Sequence, residues 1–200
     1  MLKTTAILLE ELKHYANPAA KIKRLVKAGS LIPVVRGLYE TNRNTPGYCL
    51  AASVNGPSYL SFEFALSYHT LIPEAVHTYT CATFEKKKSK HYITPFGQFT
   101  YRDVPGKAYP LGVSLRAENG YTVLIAQPEK ALCDLLYTIS PRDSQAEFQR
   151  LIFEDLRIDE AAFRKLNPRN MLFLANCYHT ANHRYLQAYI GRQMKIGLFD

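Results

Sequence analysis

The sequence feature that most restricts the fold is the stretch from Gly112 to Tyr137, where two β-rich runs are followed directly by a helical one. The runs "GVSLRAE" and "YTVLIA" flank Asn119-Gly120, a dipeptide suited to the two positive φ angles of a type I′ turn. Pro128 then opens "PEKALCDLLY", in which apolar residues recur at helical spacing: Ala131, Leu132, Leu135 and Leu136. The stretch predicts an antiparallel hairpin followed by a helix with this apolar side turned inward.

Residues 46 to 200 show further signals of both kinds. Strands are predicted in "HTYTCATF" and in "HYITPFGQFTYRDV", the second broken near Pro95 and Gly97. "SYLSFEFALSYH" predicts a helix capped near Ser58 or Ser61, with Glu63 in its first turn. Helical periodicity fills the last 60 residues and is interrupted at Pro141, Pro168 and Gly191. We therefore expect an α+β fold, a mostly antiparallel sheet with helices mainly toward the C-terminus.

Positive charge is concentrated in the first quarter of the chain. Residues 1 to 45 hold eight Lys or Arg against three Glu, a net +5 out of the +8 of the whole chain. An excess of this kind at one end favours a partner that is a polyanion. We accordingly divide the chain into a basic N-terminal domain, residues 1–45, and a larger α+β domain, residues 46–200.

Two helices are predicted in this basic segment. Apolar spacing favours an amphipathic helix from Leu2 to about Tyr15, and Asn17-Pro18 is suited to start a second one. Gly29 would end the second helix. At about 100° per residue, its apolar residues fall on one side and its cations on the other. The cations are Lys21, Lys23, Arg24 and Lys27.

A short hairpin is predicted directly after the basic helix. "SLIPVV" is typical of a strand, Arg36-Gly37 of a tight turn and "LYE" of the returning strand, with Tyr39 packing rather than stacking on a base. A helix, a basic helix and then a hairpin is the order of a winged helix-turn-helix, in which the basic helix enters the major groove and Arg36 contacts DNA from the wing. Gly29 and Gly37 would shape the backbone. The alternative is a basic helix face that is only solvated.

Three segments of the chain resemble the AbiEi-type antitoxins, which are transcriptional regulators of type IV toxin-antitoxin and abortive-infection systems. They are "IKRLVKAGSLIPVVRGLYE", "GPSYLSFEFALSYHTLIPE" and "AQPEKALCDLLY", in this order. The resemblance implies a winged helix-turn-helix followed by an α+β antitoxin domain. It also implies that the protein binds operator DNA with inverted repeats, represses its own operon and counteracts a nucleotidyltransferase-like toxin.

Two other functions remain open from the sequence. One is a stand-alone transcriptional regulator without a toxin. The other is an interaction or enzymatic domain that acts on the toxin itself and carries a vestigial DNA-binding end. Only 16 residues precede Asn17, room for one helix before the basic one.

Two groups of side chains have residue types that are used in catalysis or metal binding. The first is a pair of histidines four residues apart with a cysteine nearby: His179, His183 and Cys177. No Glu follows the first histidine, so the zinc-protease motif is absent. The second group combines a hydroxyl, a carboxylate and an imidazole: Ser61, Glu63 and His69. No Gly-x-Ser-x-Gly motif frames the serine, and helix capping is therefore the role that we expect for it.

A third group, Glu129, Lys130 and Asp134, belongs to the predicted helix "PEKALCDLLY". Carboxylates around a lysine on an amphipathic helix are typical of a solvated ion-pair face. The ten glycines form neither a phosphate-binding loop nor a dinucleotide-binding motif. We therefore predict a protein that is not an enzyme, with no catalytic residues, no cofactor and no metal.

A second basic cluster lies between two predicted strands in "EKKKSK", with Lys86, Lys87, Lys88 and Lys90. It is a solubilising loop, a second contact for phosphate or a surface for an acidic partner. The apolar runs are far shorter than the roughly 20 residues that span a membrane. Four well-separated cysteines suggest reduced thiols. We expect a cytoplasmic protein without a membrane partner.

Overall fold

In the computed structural model, which describes residues 1–197 and 199, the N-terminal segment forms two helices and a three-stranded sheet. Its elements in chain order are β1 Leu2–Thr4, α1 Thr5–Glu11, α2 Pro18–Lys27, β2 Ile32–Val35 and β3 Leu38–Glu40. The central strand is β3, which pairs antiparallel with both β1 and β2.

The prediction of one helix from Leu2 to about Tyr15 is wrong at both ends, because α1 spans only Thr5–Glu11. Leu2 pairs with Glu40 and Thr4 pairs with Leu38, so the first residues extend the hairpin into a sheet. The Thr4 hydroxyl then accepts a hydrogen bond from the Ile7 backbone at 3.3 Å and caps the shorter α1. Pairing with β3 overrides the helical spacing of these first residues. The prediction missed this pairing because β3 lies more than 30 residues further along the chain.

The predicted boundaries of α2 are confirmed. Asn17 Oδ1 accepts from the Ala20 backbone N–H at 2.9 Å, and Pro18 is the first helical residue. Gly29 has φ +74° and donates to the Val26 carbonyl at 3.0 Å. Ser30 donates to the Leu25 carbonyl at 3.0 Å, which completes the hydrogen-bond pattern of a Schellman motif.

The predicted hairpin is also confirmed. Gly37 has φ +83° in the turn between β2 and β3, a conformation that favours glycine. The Thr5 backbone N–H donates to the Gly37 carbonyl at 2.9 Å, so the turn is fixed to the first residue of α1. Tyr39 is half-buried and packs against a small core of Leu8, Ile22 and Leu31.

The remaining described residues form a six-stranded sheet and further helices. A 3-10 turn, Gly47–Leu50, opens this part. The strands are β4 Tyr59–Leu60, β5 Thr78–Thr83, β6 Lys90–Thr94, β7 Gly97–Asp103, β8 Val113–Glu118 and β9 Tyr121–Ala126. The helices are α3 Ala51–Val54, α4 Phe62–Tyr68, α5 Pro128–Thr138, α6 Gln145–Arg150, α7 Glu160–Arg164, α8 Pro168–Ala175 and α9 Ala181–Lys195, with a π-helical turn at Leu151–Asp155.

The large sheet is mixed, in the order β6-β7-β5-β4-β9-β8. Neighbouring strands are antiparallel in β4/β5, β6/β7 and β8/β9 and parallel in β4/β9 and β5/β7. Asn119 and Gly120 both have positive φ, as the predicted turn requires. The α+β class is therefore confirmed. Within the described residues, none of the helices is both long and apolar enough to span a bilayer.

The N-terminal sheet is attached to the large one through buried side chains. Ile32 and Val34 belong to the main core, on the far side of the hairpin from Tyr39. Glu40 is fully buried and accepts hydrogen bonds from the Tyr121 hydroxyl on β9 and from the Asn42 backbone, the latter at 2.9 Å. Burial raises the pKa of Glu40, but these hydrogen bonds and the Met1 amino group outweigh it and lower the pKa overall. α2 thus packs against a small sheet that is itself anchored in the main core.

Candidate functional site

The cations of α2 lie on its outer side. Lys23, Arg24 and Lys27 are exposed, whereas Ile22 is buried and Leu25 and Val26 pack against the small core. Lys21 is half-buried, with its Nζ 4.7 Å from the centroid of the Tyr15 ring. The predicted division of the helix into an apolar and a basic side is therefore confirmed.

One further cation, Arg43, lies near this helix. Its Nη2 is 4.0 Å from the position that a Cβ would take on Gly29, at the end of α2. No local sequence pattern indicates this position, because Arg43 follows the hairpin and only the return of the chain brings it to Gly29. Arg24 and Lys27 also lie in the last turn of α2, where positive charges interact favourably with the helix dipole.

The predicted wing residue, Arg36, is exposed in the turn between β2 and β3. Hydrogen bonding of Gly37 to Thr5 holds this turn at the beginning of α1. The structure therefore places Arg36 in the hairpin that packs against α2, on a turn of fixed geometry.

The second basic cluster forms an ordered loop between β5 and β6. Asp103 accepts from the Lys87 backbone at 2.7 Å and from the Thr83 hydroxyl at 2.6 Å, which fixes the loop to the sheet. Lys86 Nζ donates to the Gly56 carbonyl at 3.2 Å, and Lys90 Nζ donates to Asn55 Oδ1 at 3.3 Å. The side chains of Lys87 and Lys88 are exposed.

A polar cluster surrounds two fully buried residues of α5, Lys130 and Asp134. Lys130 Nζ donates to Asp134 Oδ1 at 2.7 Å and also to the Tyr178 hydroxyl. The other carboxylate oxygen, Oδ2, accepts from the hydroxyls of Tyr59 at 2.9 Å and Ser61 at 2.7 Å. Burial, followed by the charge of Asp134, raises the pKa of both tyrosines.

The structure corrects two predictions for these residues. Glu129, Lys130 and Asp134 do not form a solvated face, because α4, α8 and α9 all pack against α5. Glu129 instead accepts from the Asn167 backbone at 2.8 Å, at the beginning of α8. Ser61 occupies the N-cap position of α4, but its hydroxyl makes no capping hydrogen bond and is directed to Asp134.

This cluster joins two of the segments that carry the family resemblance. Tyr59 and Ser61 belong to "GPSYLSFEFALSYHTLIPE", and Lys130 and Asp134 belong to "AQPEKALCDLLY". Their hydrogen bonds connect β4 with α5 across more than 70 residues of sequence. The arrangement accounts for these polar residues as parts of the core.

The two histidines that have the spacing of metal ligands, His179 and His183, have different environments. His183 is buried, its Nε2 donates to the Cys133 carbonyl at 3.0 Å and its Nδ1 lies 2.7 Å from the Thr180 hydroxyl. Its ring stacks on Tyr178 at a centroid distance of 4.4 Å. His179 is exposed and has φ +53°. Both nitrogens of His183 are thus engaged within the protein.

Acidification is expected to destabilise the fold through His183. Burial lowers its pKa from 6.5 to about 4, so the unfolded chain takes up a proton before the folded one does. The contribution of His183 is complete above pH 6.5 and is lost as the pH falls to about 4, a change of about 3 kcal/mol in the free energy of unfolding. Urea denaturation at the two ends of this range measures it. The His183→Gln variant should lose this part of the pH dependence, and an unchanged dependence would contradict the assignment.

No protein-family model matches this sequence, and no curated protein matches it either.

Proposed function

We propose that this protein binds duplex DNA through the outer side of α2 and the adjacent wing turn. The observation that carries the proposal is the helix itself: Lys23, Arg24 and Lys27 are exposed along one side, and the opposite side is packed. A helix of this kind can enter the major groove, where Lys and Arg contact phosphates and the edges of guanine.

The elements around α2 support the same proposal. α1, α2 and the β2/β3 hairpin follow one another in the order expected of a winged helix-turn-helix, with β1 as a third strand. Because Tyr39 of β3 packs against the small core that contains Ile22 of α2, the helix and the wing have a fixed relative orientation. Arg36 and Arg43 add cations at the wing turn and at the end of α2.

The affinity for DNA is expected to fall steeply with salt. If Lys23, Arg24, Lys27 and Arg36 each neutralise one phosphate, the logarithm of the binding constant should decrease with the logarithm of the salt concentration with a slope of about −3.6. Titrating a labelled duplex from the region upstream of the gene at several salt concentrations measures the slope. Loss of binding at every salt concentration, or a slope near zero, would contradict the proposal.

We further propose that the protein acts in the cytoplasm as an antitoxin of the AbiEi type, which represses its own operon and counteracts a nucleotidyltransferase-like toxin. The three ordered segments of resemblance support this role, and two of them meet at the buried cluster of Lys130 and Asp134. The operator would contain inverted repeats. Neutralisation of the toxin need not involve a stable complex between the two proteins.

The antitoxin role is tested separately from DNA binding. The reading frame next to the gene should encode a nucleotidyltransferase-like protein that stops growth when expressed alone and is tolerated when this chain is co-expressed. Growth arrest that persists on co-expression would contradict the antitoxin role. A reporter driven by the upstream region would then show whether the protein is a stand-alone regulator.

A further inference from the structure

The two edge strands of the six-stranded sheet differ in how they are protected. β6 begins at Lys90, lies beside β2 and is preceded by three lysines and Ser89: Lys86, Lys87 and Lys88. Lysines and covering segments are common means of preventing a sheet edge from pairing with another chain. Both the lysines and the neighbouring strand β2 therefore protect this edge.

The other edge, β8, has neither a lysine nor, among the described residues, a strand beside it on its outer side. Its sequence, "VSLRAE", contains no Lys and no Pro, and its residues Leu115, Arg116 and Ala117 are all exposed. Leu115 is 67% exposed, a large apolar side chain in the middle of an edge strand. An uncovered strand of this kind presents unpaired backbone N–H and C=O groups to solvent.

We propose that β8 pairs antiparallel with β8 of a second copy of this chain, so that the two six-stranded sheets become continuous across a two-fold axis. A second copy is favoured because the charges of the strand are complementary to themselves. Arg116 and Glu118 are two residues apart and point to the same face of the sheet. Antiparallel pairing about Ala117 places each Arg116 opposite Glu118 of the other copy.

The neighbouring registers are less favourable. Pairing Leu115 with Ala117 places Arg116 opposite Arg116, and like charges directly opposite each other destabilise a strand pair. Pairing Leu115 with Leu115 places Arg116 opposite Ser114, which supplies no counter-charge. The register about Ala117 is the one of these three that forms ion pairs, two of them per dimer, and it leaves Leu115 diagonal to Ala117 of the other copy.

Contacts within the chain hold both charged side chains near this edge. Arg116 Nη1 donates to the Tyr68 hydroxyl at 3.2 Å, and the guanidinium lies 5.5 Å from the centroid of the Tyr68 ring. Glu118 accepts from the Tyr48 hydroxyl. A carboxylate has further lone pairs, so this bond leaves Glu118 able to accept from an arginine of the second copy. The proposal does not depend on DNA binding, although a two-fold dimer would suit an operator with inverted repeats.

Sedimentation equilibrium of the full chain tests the pairing. We expect a monomer–dimer equilibrium for the wild type, lost in Leu115→Lys, which places a lysine in the middle of β8. Ile93→Lys is the matched control, because Ile93 is 75% exposed on the guarded edge strand β6, and it should leave the equilibrium unchanged. A wild type that stays monomeric up to about 1 mM, the weak end of specific association, would overturn the proposal. So would a dimer that Leu115→Lys leaves intact or that Ile93→Lys weakens equally.

A charge exchange tests the register. Arg116→Glu and Glu118→Arg should each weaken the dimer, because each places like charges opposite one another. The double variant restores opposite charges and should recover the dimer. Circular dichroism of each variant checks that the fold is kept. A double variant no better than the single ones would overturn the pairing about Ala117.

Discussion

Replacing Asp134 with alanine is expected to lower the free energy of unfolding by about 3–5 kcal/mol, the range measured when one partner of a buried ion pair is removed. Lys130 is fully buried, and its ammonium group would lose the carboxylate that lies 2.7 Å away. The hydroxyls of Tyr59 and Ser61 would lose their acceptor at the same time. Urea denaturation of the two proteins measures the difference.

An exposed ion pair provides the control for this variant. Asp155 is 3.2 Å from Arg142, and its side chain is 56% exposed. Removing it in Asp155→Ala should cost less than about 1 kcal/mol, because water screens exposed pairs. If Asp134→Ala costs no more than this control, the cluster does not stabilise the core in the way that its hydrogen bonds indicate.

A double variant separates the charge from the packing. Lys130→Met with Asp134→Leu removes both charges and keeps apolar volume, so it should be more stable than Asp134→Ala alone. The change in the free energy of unfolding of the double variant, minus the sum of the changes in the single variants Lys130→Met and Asp134→Leu, gives the coupling of the pair. We expect a coupling well above the few tenths of a kcal/mol found between independent sites.

The parts of the fold that the sequence predicts well are those set by local chemistry. The beginning of α2 is set by side-chain capping at Asn17-Pro18. Its end and the turn between β8 and β9 are set by positive φ angles, at Gly29 and at Asn119-Gly120. The two sides of α2 follow equally from the spacing of its residues. These signals lie within a few residues of the structure that they produce.

Long-range pairing explains what the sequence does not predict. Leu2–Thr4 becomes a strand because Leu38–Glu40 supplies its partner, and no residue near Leu2 indicates this. Lys130 and Asp134 have the spacing of a solvated pair, and only the helices packed around α5 bury them. Arg43 joins the basic surface for the same reason, through the return of the chain to Gly29.

Reversing two charges on α2 is expected to abolish DNA binding. In Lys23→Glu with Arg24→Glu, two exposed cations become anions that repel phosphates, and we expect the affinity at low salt to fall by roughly 100-fold or more. The fold should remain, because both side chains point to solvent and contribute little to packing. Arg184→Glu with Lys195→Glu is the matched control, since it makes the same change in net charge with two exposed cations of α9.

The most direct test of DNA binding through α2 is therefore a titration of the labelled upstream duplex with three proteins at one low ionic strength: the wild type, the α2 double variant and the α9 double variant. Circular dichroism confirms that all three are folded. We predict that the wild type and the α9 variant bind with affinities within a few-fold of each other and that the α2 variant does not bind. Binding that survives in the α2 variant, or that is lost equally in the α9 variant, would contradict the proposed interface.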